Sequence, residues 1–349
     1  MNTTTVIKIV ADDHVGRIYL AYGAYVLQYS PDKNTFSALY VGKSPITRAM
    51  AISPIEGLVA IIDMDKNIQL LNASGQAKKR GKLEKGAMCA VFANDSTLLV
   101  GDKFGDIIQF SSKENSDLDR QTIAGGVSIV TELLLWKDYI LMGDRDEKIR
   151  LINLKFPFII ERFLLEHTEY VAAMGLLGED RLISFGGEGQ AILWDLSNGK
   201  VTHSIGVMKN KSLLGIAISD ERIAYIYHGD NQVHFLKYQN DRLLEDTSFH
   251  LPNGFEPTAI ACCNGIFYLA GSSISENKPF LASLAELQLT MIESFCEFIE
   301  KECLPPSTNP KSDLSLLRKR RFTDNKDTDH NTYRADRNDS EERSGSELE

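Results

Sequence analysis

Asp63-Met64-Asp65-Lys66-Asn67-Ile68-Gln69-Leu70-Leu71-Asn72 and Asp144-Arg145-Asp146-Glu147-Lys148-Ile149-Arg150-Leu151-Ile152-Asn153 are two copies of one pattern. The aspartates, the following isoleucine, the leucine and the closing asparagine coincide. A third copy, Gly186-Gly187-Glu188-Gly189-Gln190-Ala191-Ile192-Leu193-Trp194-Asp195, keeps a tight turn followed by a short apolar strand. Outward from these anchors, the last large apolar residue of each such strand falls at Tyr29, Leu71, Phe110, Ile152, Trp194 and Leu236, a step of about 40 residues. A seventh unit runs from Pro257 through Ala259-Ile260-Ala261, Ile266-Phe267-Tyr268-Leu269 and Phe280-Leu281-Ala282-Ser283-Leu284. Within the units, short runs such as Arg181-Leu182-Ile183-Ser184 are bounded by Gly, Asp and Asn, which are strand and turn signals.

The Trp194-Asp195 ending resembles the close of a WD repeat. A four-stranded unit cannot bury both of its faces alone, whereas units stacked around an axis can. Each Leu, Ile or Phe so buried is worth about 1.5–3 kcal/mol. The sequence therefore predicts an all-β fold, a seven-bladed WD40-type β-propeller over residues 1–290. Its ring is expected to close by pairing Val6-Ile7-Lys8-Ile9-Val10 with the last blade. His167, Ser184 and Trp194 fall where WD repeats place a buried His, Ser/Thr and Trp network, so His167 reads as structural rather than as a catalytic base. Glu188 replaces the usual aspartate, which predicts a weakened or rearranged network.

After Leu289 the texture changes. Residues 291–304 place Ile292, Phe295, Phe298 and Ile299 on one helical face, predicting a short amphipathic helix packed on the propeller or on a partner. Residues 305–349 are polar and are expected to be a largely disordered tail. Its basic run, Arg318-Lys319-Arg320-Arg321, fits nuclear import or RNA phosphate contact.

The 349 residues include 38 basic and 48 acidic side chains, a formal net charge of −10. An isolated nucleic-acid binder shows the opposite balance, because it must displace counterions from phosphates. If this protein works near nucleic acid, a partner supplies most of the basic surface. No apolar run of about 18 residues is present to span a membrane, and the polar start argues against a signal peptide. Five cysteines without CxxC spacing suit a reducing, intracellular compartment. Lys78-Lys79-Arg80 with Lys82 and Lys85 reads as a solvated loop between blades two and three.

No catalytic constellation emerges. Gly186-Gly187-Glu188-Gly189 precedes a strand instead of opening a helix, so it lacks the amides that cradle phosphate. Ile68 and Ile149 stand where a calcium loop needs glycine, and no GxSxG, HExxH or P-loop occurs. The chain is expected to have no catalytic residues, no metal and no cofactor of its own.

Two further stretches are more specific than a generic repeat. Val100-Gly101-Asp102-Lys103-Phe104-Gly105-Asp106-Ile107 is followed by Asp144–Arg150 and by Ile160-Glu161-Arg162-Phe163-Leu164-Leu165-Glu166-His167-Thr168-Glu169-Tyr170-Val171. In this order and spacing they resemble the WD-repeat non-catalytic subunit of eukaryotic tRNA (guanine-N7-)-methyltransferase across residues 98–172. Glu166 departs from the usual glycine before the histidine. Leu317-Arg318-Lys319-Arg320-Arg321-Phe322 is loosely similar to a basic segment after the propeller in that family. The resemblance implies a heterodimer with a catalytic subunit that binds S-adenosylmethionine (SAM) and methylates guanosine N7 in the tRNA variable loop. The propeller would bind and stabilise that subunit, meet tRNA mainly through it, touch no membrane, and reside in the nucleus. A scaffold for another nuclear complex, in chromatin or signalling, is the alternative, and a propeller enzyme ranks last.

Arg145, Asp146, Glu147, Lys148 and Arg150 are the candidate partner contacts. Six of the seven residues from Asp144 to Arg150 are charged, whereas the second blade carries Met64, Asn67 and Gln69 where the fourth has Arg145, Lys148 and Arg150. Blade geometry alone does not demand those cations. Arg150 is expected to fork onto a partner carboxylate with Asp146 holding the turn, so that Arg150→Glu spares the fold and breaks the complex. Intrablade ion pairing is the other reading of the strip.

Overall fold

In a computed structural model, described over residues 6–112, 117–274 and 278–303, seven four-stranded antiparallel sheets follow one another along the chain. They span Val6–Val41, Ala51–Lys82, Ala87–Gly125, Val130–Leu164, Val171–Gly206, Leu213–His250 and Phe255–Met291. These are blades 1 to 7 of a β-propeller. First strands of successive blades touch one another around a central channel. Second and third strands are sandwiched between neighbouring blades. Hence Val59-Ala60-Ile61-Ile62 is buried throughout, while the outer strand Ala77–Lys82 alternates between half-buried and exposed. Near-continuous apolar runs are what two-sided burial requires.

Antiparallel order puts the turn between second and third strands, and the link to the next blade, at one end of the ring. The turns after first and third strands lie at the other end. Most first strands carry a register shift near their start, as at Val130/Glu132, Val171/Ala173 and Pro257/Ala259. Such bulges increase the local twist where strands crowd around the axis.

Ring closure differs from the expectation. Val6–Asp12 pairs with Arg17–Tyr22 inside blade 1, and blade 7 builds all four of its strands from its own segment. No strand is exchanged among the described residues. The seam is held instead by Thr258 Oγ1 donating to the Val6 carbonyl at 2.6 Å and by the Asn264 amide donating to Asp13 Oδ1 at 3.0 Å. An apolar cluster joins Ile9, Ile18 and Leu20 of blade 1 to Ala259, Tyr268 and Leu281 of blade 7.

The same cluster takes in the helix. α1 (Glu293–Glu302) is shorter than the predicted 291–304 and buries Phe295 and Ile299. It packs on the third strand of blade 7 and on the outer strand of blade 1. Phe36 of blade 1 lies 5.4 Å from the Phe295 ring and 5.8 Å from the Phe298 ring. Ten residues are too few for a stable isolated helix in water, so α1 exists because it covers the seam. Residues 304–349, including Arg318, Lys319, Arg320 and Arg321, lie outside the described residues.

Candidate partner-binding site on the fourth blade

The charged strip is the turn between strands Tyr139–Asp144 and Ile149–Asn153 of blade 4. Asp144 Oδ1 accepts the amides of Asp146 at 2.9 Å and Lys148 at 3.0 Å, while Glu147 adopts a φ of 75°. Blade 3 repeats the device: Asp102 Oδ1 accepts the amides of Phe104 and Asp106, with Gly105 at a φ of 106°. In blade 2, Asp63 Oδ1 accepts the Asn67 amide at 2.9 Å, with Lys66 at a φ of 70°. A carboxylate that satisfies amides two and four residues on stabilises a tight turn, which explains why the first aspartate recurs.

Two expectations are corrected by this geometry. Asp146 does not hold the turn. Its carboxylate lies 3.5 Å from Arg145 Nε, and its carbonyl accepts the Lys148 ammonium at 2.8 Å. Nor does Arg150 reach outward, since its side chain is only 8% exposed and Nη2 sits 3.0 Å from the fully buried Asp144 Oδ2. Nη1 lies 3.7 Å from Met142 Sδ, and the guanidinium lies 5.9 Å from the centre of the Phe163 ring. Gly126 leaves room for it, because a Cβ there would collide with Nη1. Burial holds the Asp144 carboxyl above its ordinary range, outweighing the Lys148 amide and the Arg150 charge that pull it down. A glutamate in place of Arg150 would set a second carboxylate against Asp144, so the fold-sparing expectation for Arg150→Glu is withdrawn.

Arg145, Asp146, Glu147 and Lys148 remain at least partly accessible. Around them the structure adds apolar residues that the sequence reading missed. Val127 is 93% exposed in the link from blade 3 to blade 4, Leu165 is 63% exposed in the next link, and Phe104 is 56% exposed on the blade 3 turn. All three lie at the ring end that carries the strip. Lys85 Nζ stands 4.6 Å and Lys103 Nζ 5.6 Å from the Phe104 ring centre. Exposed apolar groups rimmed by charge mark a surface suited to another protein. The signal in the sequence is weak, since each residue sits singly in a turn.

The histidine network is complete rather than weakened. Glu188 Oε1 lies 2.5 Å from His167 Nδ1, His167 Nε2 lies 2.7 Å from Ser184 Oγ, and Trp194 Nε1 donates to Ser184 Oγ at 2.8 Å. The longer glutamate spans the distance from its turn to His167, which sits in the link leading into blade 5 and is buried against it. Among the described residues no group of three or more His, Cys, Asp or Glu is placed to hold a metal ion, and no helix is long and apolar enough to cross a membrane.

Residues 108–233, from the third strand of blade 3 into blade 6, match the family model described as the tRNA methyltransferase TRM82 WD40 domain. TRM82 of Saccharomyces cerevisiae, named as the tRNA (guanine-N(7)-)-methyltransferase non-catalytic subunit, is 28% identical over 182 residues, covering 48% of this chain and 40% of that protein. The Drosophila grimshawi protein wuho, named as the same subunit, is 37% identical over 120 residues, covering 34% of this chain and 31% of its own length. The chain thus spans well under half the length of these curated relatives. Among solved structures, the Cps50 (Swd1) propeller of Myceliophteria thermophila superposes with a TM-score of 0.66 at 10% identity, covering 83% of this chain and 98% of that one. The RRP9 WD40 repeats superpose with a TM-score of 0.66 at 15% identity, over 78% and 88%. At such identity the two structures establish the fold alone. The chain is thus a seven-bladed β-propeller whose residues 108–233 are similar to the WD40 domain of the non-catalytic subunits of tRNA (guanine-N(7)-)-methyltransferase.

Proposed function

We propose that this chain is a non-catalytic subunit that binds and stabilises the catalytic subunit of a tRNA (guanine-N7) methyltransferase, enabling N7-methylguanosine formation in the tRNA variable loop. The observation that carries this reading is the overlap of two facts. The segment that matches the family, residues 108–233, contains the accessible strip Arg145–Lys148 together with Val127 and Leu165. SAM belongs to the partner in this reading, and the heterodimer acts in the nucleus, with the basic run Arg318–Arg321 as the import signal.

The propeller acts by supplying a rigid surface. A partner whose folded state binds at a concentration 100 times Kd gains about 2.7 kcal/mol of stability. Apolar residues at the centre of the contact provide affinity, while Arg145 and Lys148 steer and orient the encounter. Co-expression with the catalytic subunit and assay of tRNA N7-methylation tests this. Val127→Asp combined with Lys148→Glu should leave the propeller folded, abolish co-purification and lower methylation in step. Retention of the complex at wild-type affinity would place the interface elsewhere. Methylation unchanged without this chain would end the proposal.

A further inference from the structure

Lys78, Lys79, Arg80 and Lys82 belong to a strand, not to the loop expected from the sequence. Ala77–Lys82 is the outer strand of blade 2, and its burial alternates so that Lys78, Arg80 and Lys82 share the exposed face. The other face turns to blade 3: a Cβ on Gly81 would lie 3.3 Å from the Phe110 ring and 3.4 Å from Leu118 Cδ1. Alternate strand residues are about 6.6 Å apart, so three cations stand in an evenly spaced row.

We propose that this row on the outer strand of blade 2 is a contact for the phosphate backbone of an RNA. The inference rests on the tRNA methyltransferase reading for the identity of the RNA, and on the strand geometry for the site itself.

Three observations carry it. First, the row is without an ion pair among the described residues. Several cations elsewhere on this acidic chain are paired, as in Lys85–Asp106 at 2.8 Å, Arg120–Glu84 at 2.5 Å, Arg181–Asp241 at 2.8 Å and Lys211–Asp230 at 2.8 Å. Lys78, Arg80 and Lys82 have no ion pair or side-chain hydrogen bond among the described residues. Second, the third strand of blade 2 and the outer strand of blade 1 hold no carboxylate beside the row, while the exposed Asp117 of blade 3 lies against Arg80. The outer strand of blade 1 is Thr35-Phe36-Ser37-Ala38-Leu39-Tyr40-Val41, and Asn67 and Gln69, registered against Lys82 and Arg80, are neutral. Gln69 Nε2 donates to the Tyr40 hydroxyl at 2.5 Å, leaving polar neutral groups beside the cations. Third, the strand's edge is already partly used, because Arg80 forms a parallel backbone bridge with Asp117 of blade 3. An acidic peptide adding as a further strand needs that backbone. A phosphodiester chain needs only the side chains and carries one charge per nucleotide, which suits a periodic row.

The test uses the full-length chain in complex with its catalytic subunit and a fluorescently labelled tRNA transcript, with anisotropy titrations across a range of salt concentrations. Replacing Lys78, Arg80 and Lys82 together with Gln removes charge from an exposed face and keeps the strand. The slope of log K against log salt should flatten by about 2–3, at about 0.7–0.9 for each phosphate no longer neutralised, and each single variant should flatten it by about 1. Capture of the catalytic subunit should be unchanged, which separates failure of this site from failure of the heterodimer reading. A slope equal to wild type in the triple variant would overturn the proposal. So would displacement of the tRNA by poly-glutamate at equal charge concentration, which would assign the row to an acidic protein instead.

Discussion

Phe295→Ala tests whether α1 is a clasp on a ring that closes without strand exchange. The Phe295 side chain is fully buried and sits in one cluster with residues of blades 1 and 7. Removing a buried phenylalanine costs about 3–5 kcal/mol through the transfer energy forgone and the cavity left behind. Here the loss falls on a ten-residue helix with no side-chain N-cap, whose other anchors are Ile299 and the Phe298–Phe36 contact. For a domain of this size the expected fall in Tm is roughly 5–8 °C. Circular dichroism melts give the magnitude, and amide hydrogen exchange gives the location. Protection should drop in the inner strands of blades 1 and 7 and persist in blades 3 to 5. Glu300→Ala is the control: it removes an exposed pair with Lys278 at 2.7 Å, worth about 0–1 kcal/mol. If Phe295→Ala were no more destabilising than Glu300→Ala, or if exchange rose evenly around the ring, α1 would be an appendage and the seam would be closed by the blades alone.

Arg150→Glu should lower stability by about 3–5 kcal/mol, because it removes a buried counter-charge and sets two carboxylates together. A thermal melt matching wild type would show that Arg150 is dispensable inside the blade. Ser184→Ala should cost about 1–3 kcal/mol for each group it orphans, here Trp194 Nε1 and His167 Nε2. Urea denaturation with an unchanged m-value and a lowered midpoint is the expected result. The Asp241 carboxyl is held down at about 2 by the forked hydrogen bonds from Arg181, at 2.8 and 3.0 Å, and by the Tyr238 hydroxyl. With the folded value depressed, the link between blades 5 and 6 is present above the ordinary carboxylate range and fades as pH falls through about 2. Carboxyl NMR titration should show this, with Arg181→Leu returning Asp241 toward its ordinary range.

The architecture was legible in the sequence because one unit is written seven times. Asp63, Asp102 and Asp144 recur since each holds the same turn, and that need is local. The same holds for His167, Ser184 and Trp194, whose spacing belongs to a single blade. The family resemblance was legible for a similar reason: it lies in blades 3 to 5, where turn and strand residues keep their order.

What the tertiary structure decided involves residues far apart in the chain or the choice between two faces of a strand. Ring closure brings Val6 to Thr258 and Phe36 to Phe295, and no local signal states whether such a seam exchanges a strand. The partner of Arg150 was undetermined for another reason. Asp144 and Asp146 are both near it in sequence, and only the path of the turn buries one and exposes the other. Lys78, Arg80 and Lys82 looked like loop composition until the strand set them on one face. Local chemistry writes the repeat into the chain; the sidedness of each charge, and with it any surface for a partner, exists only once neighbouring blades have packed.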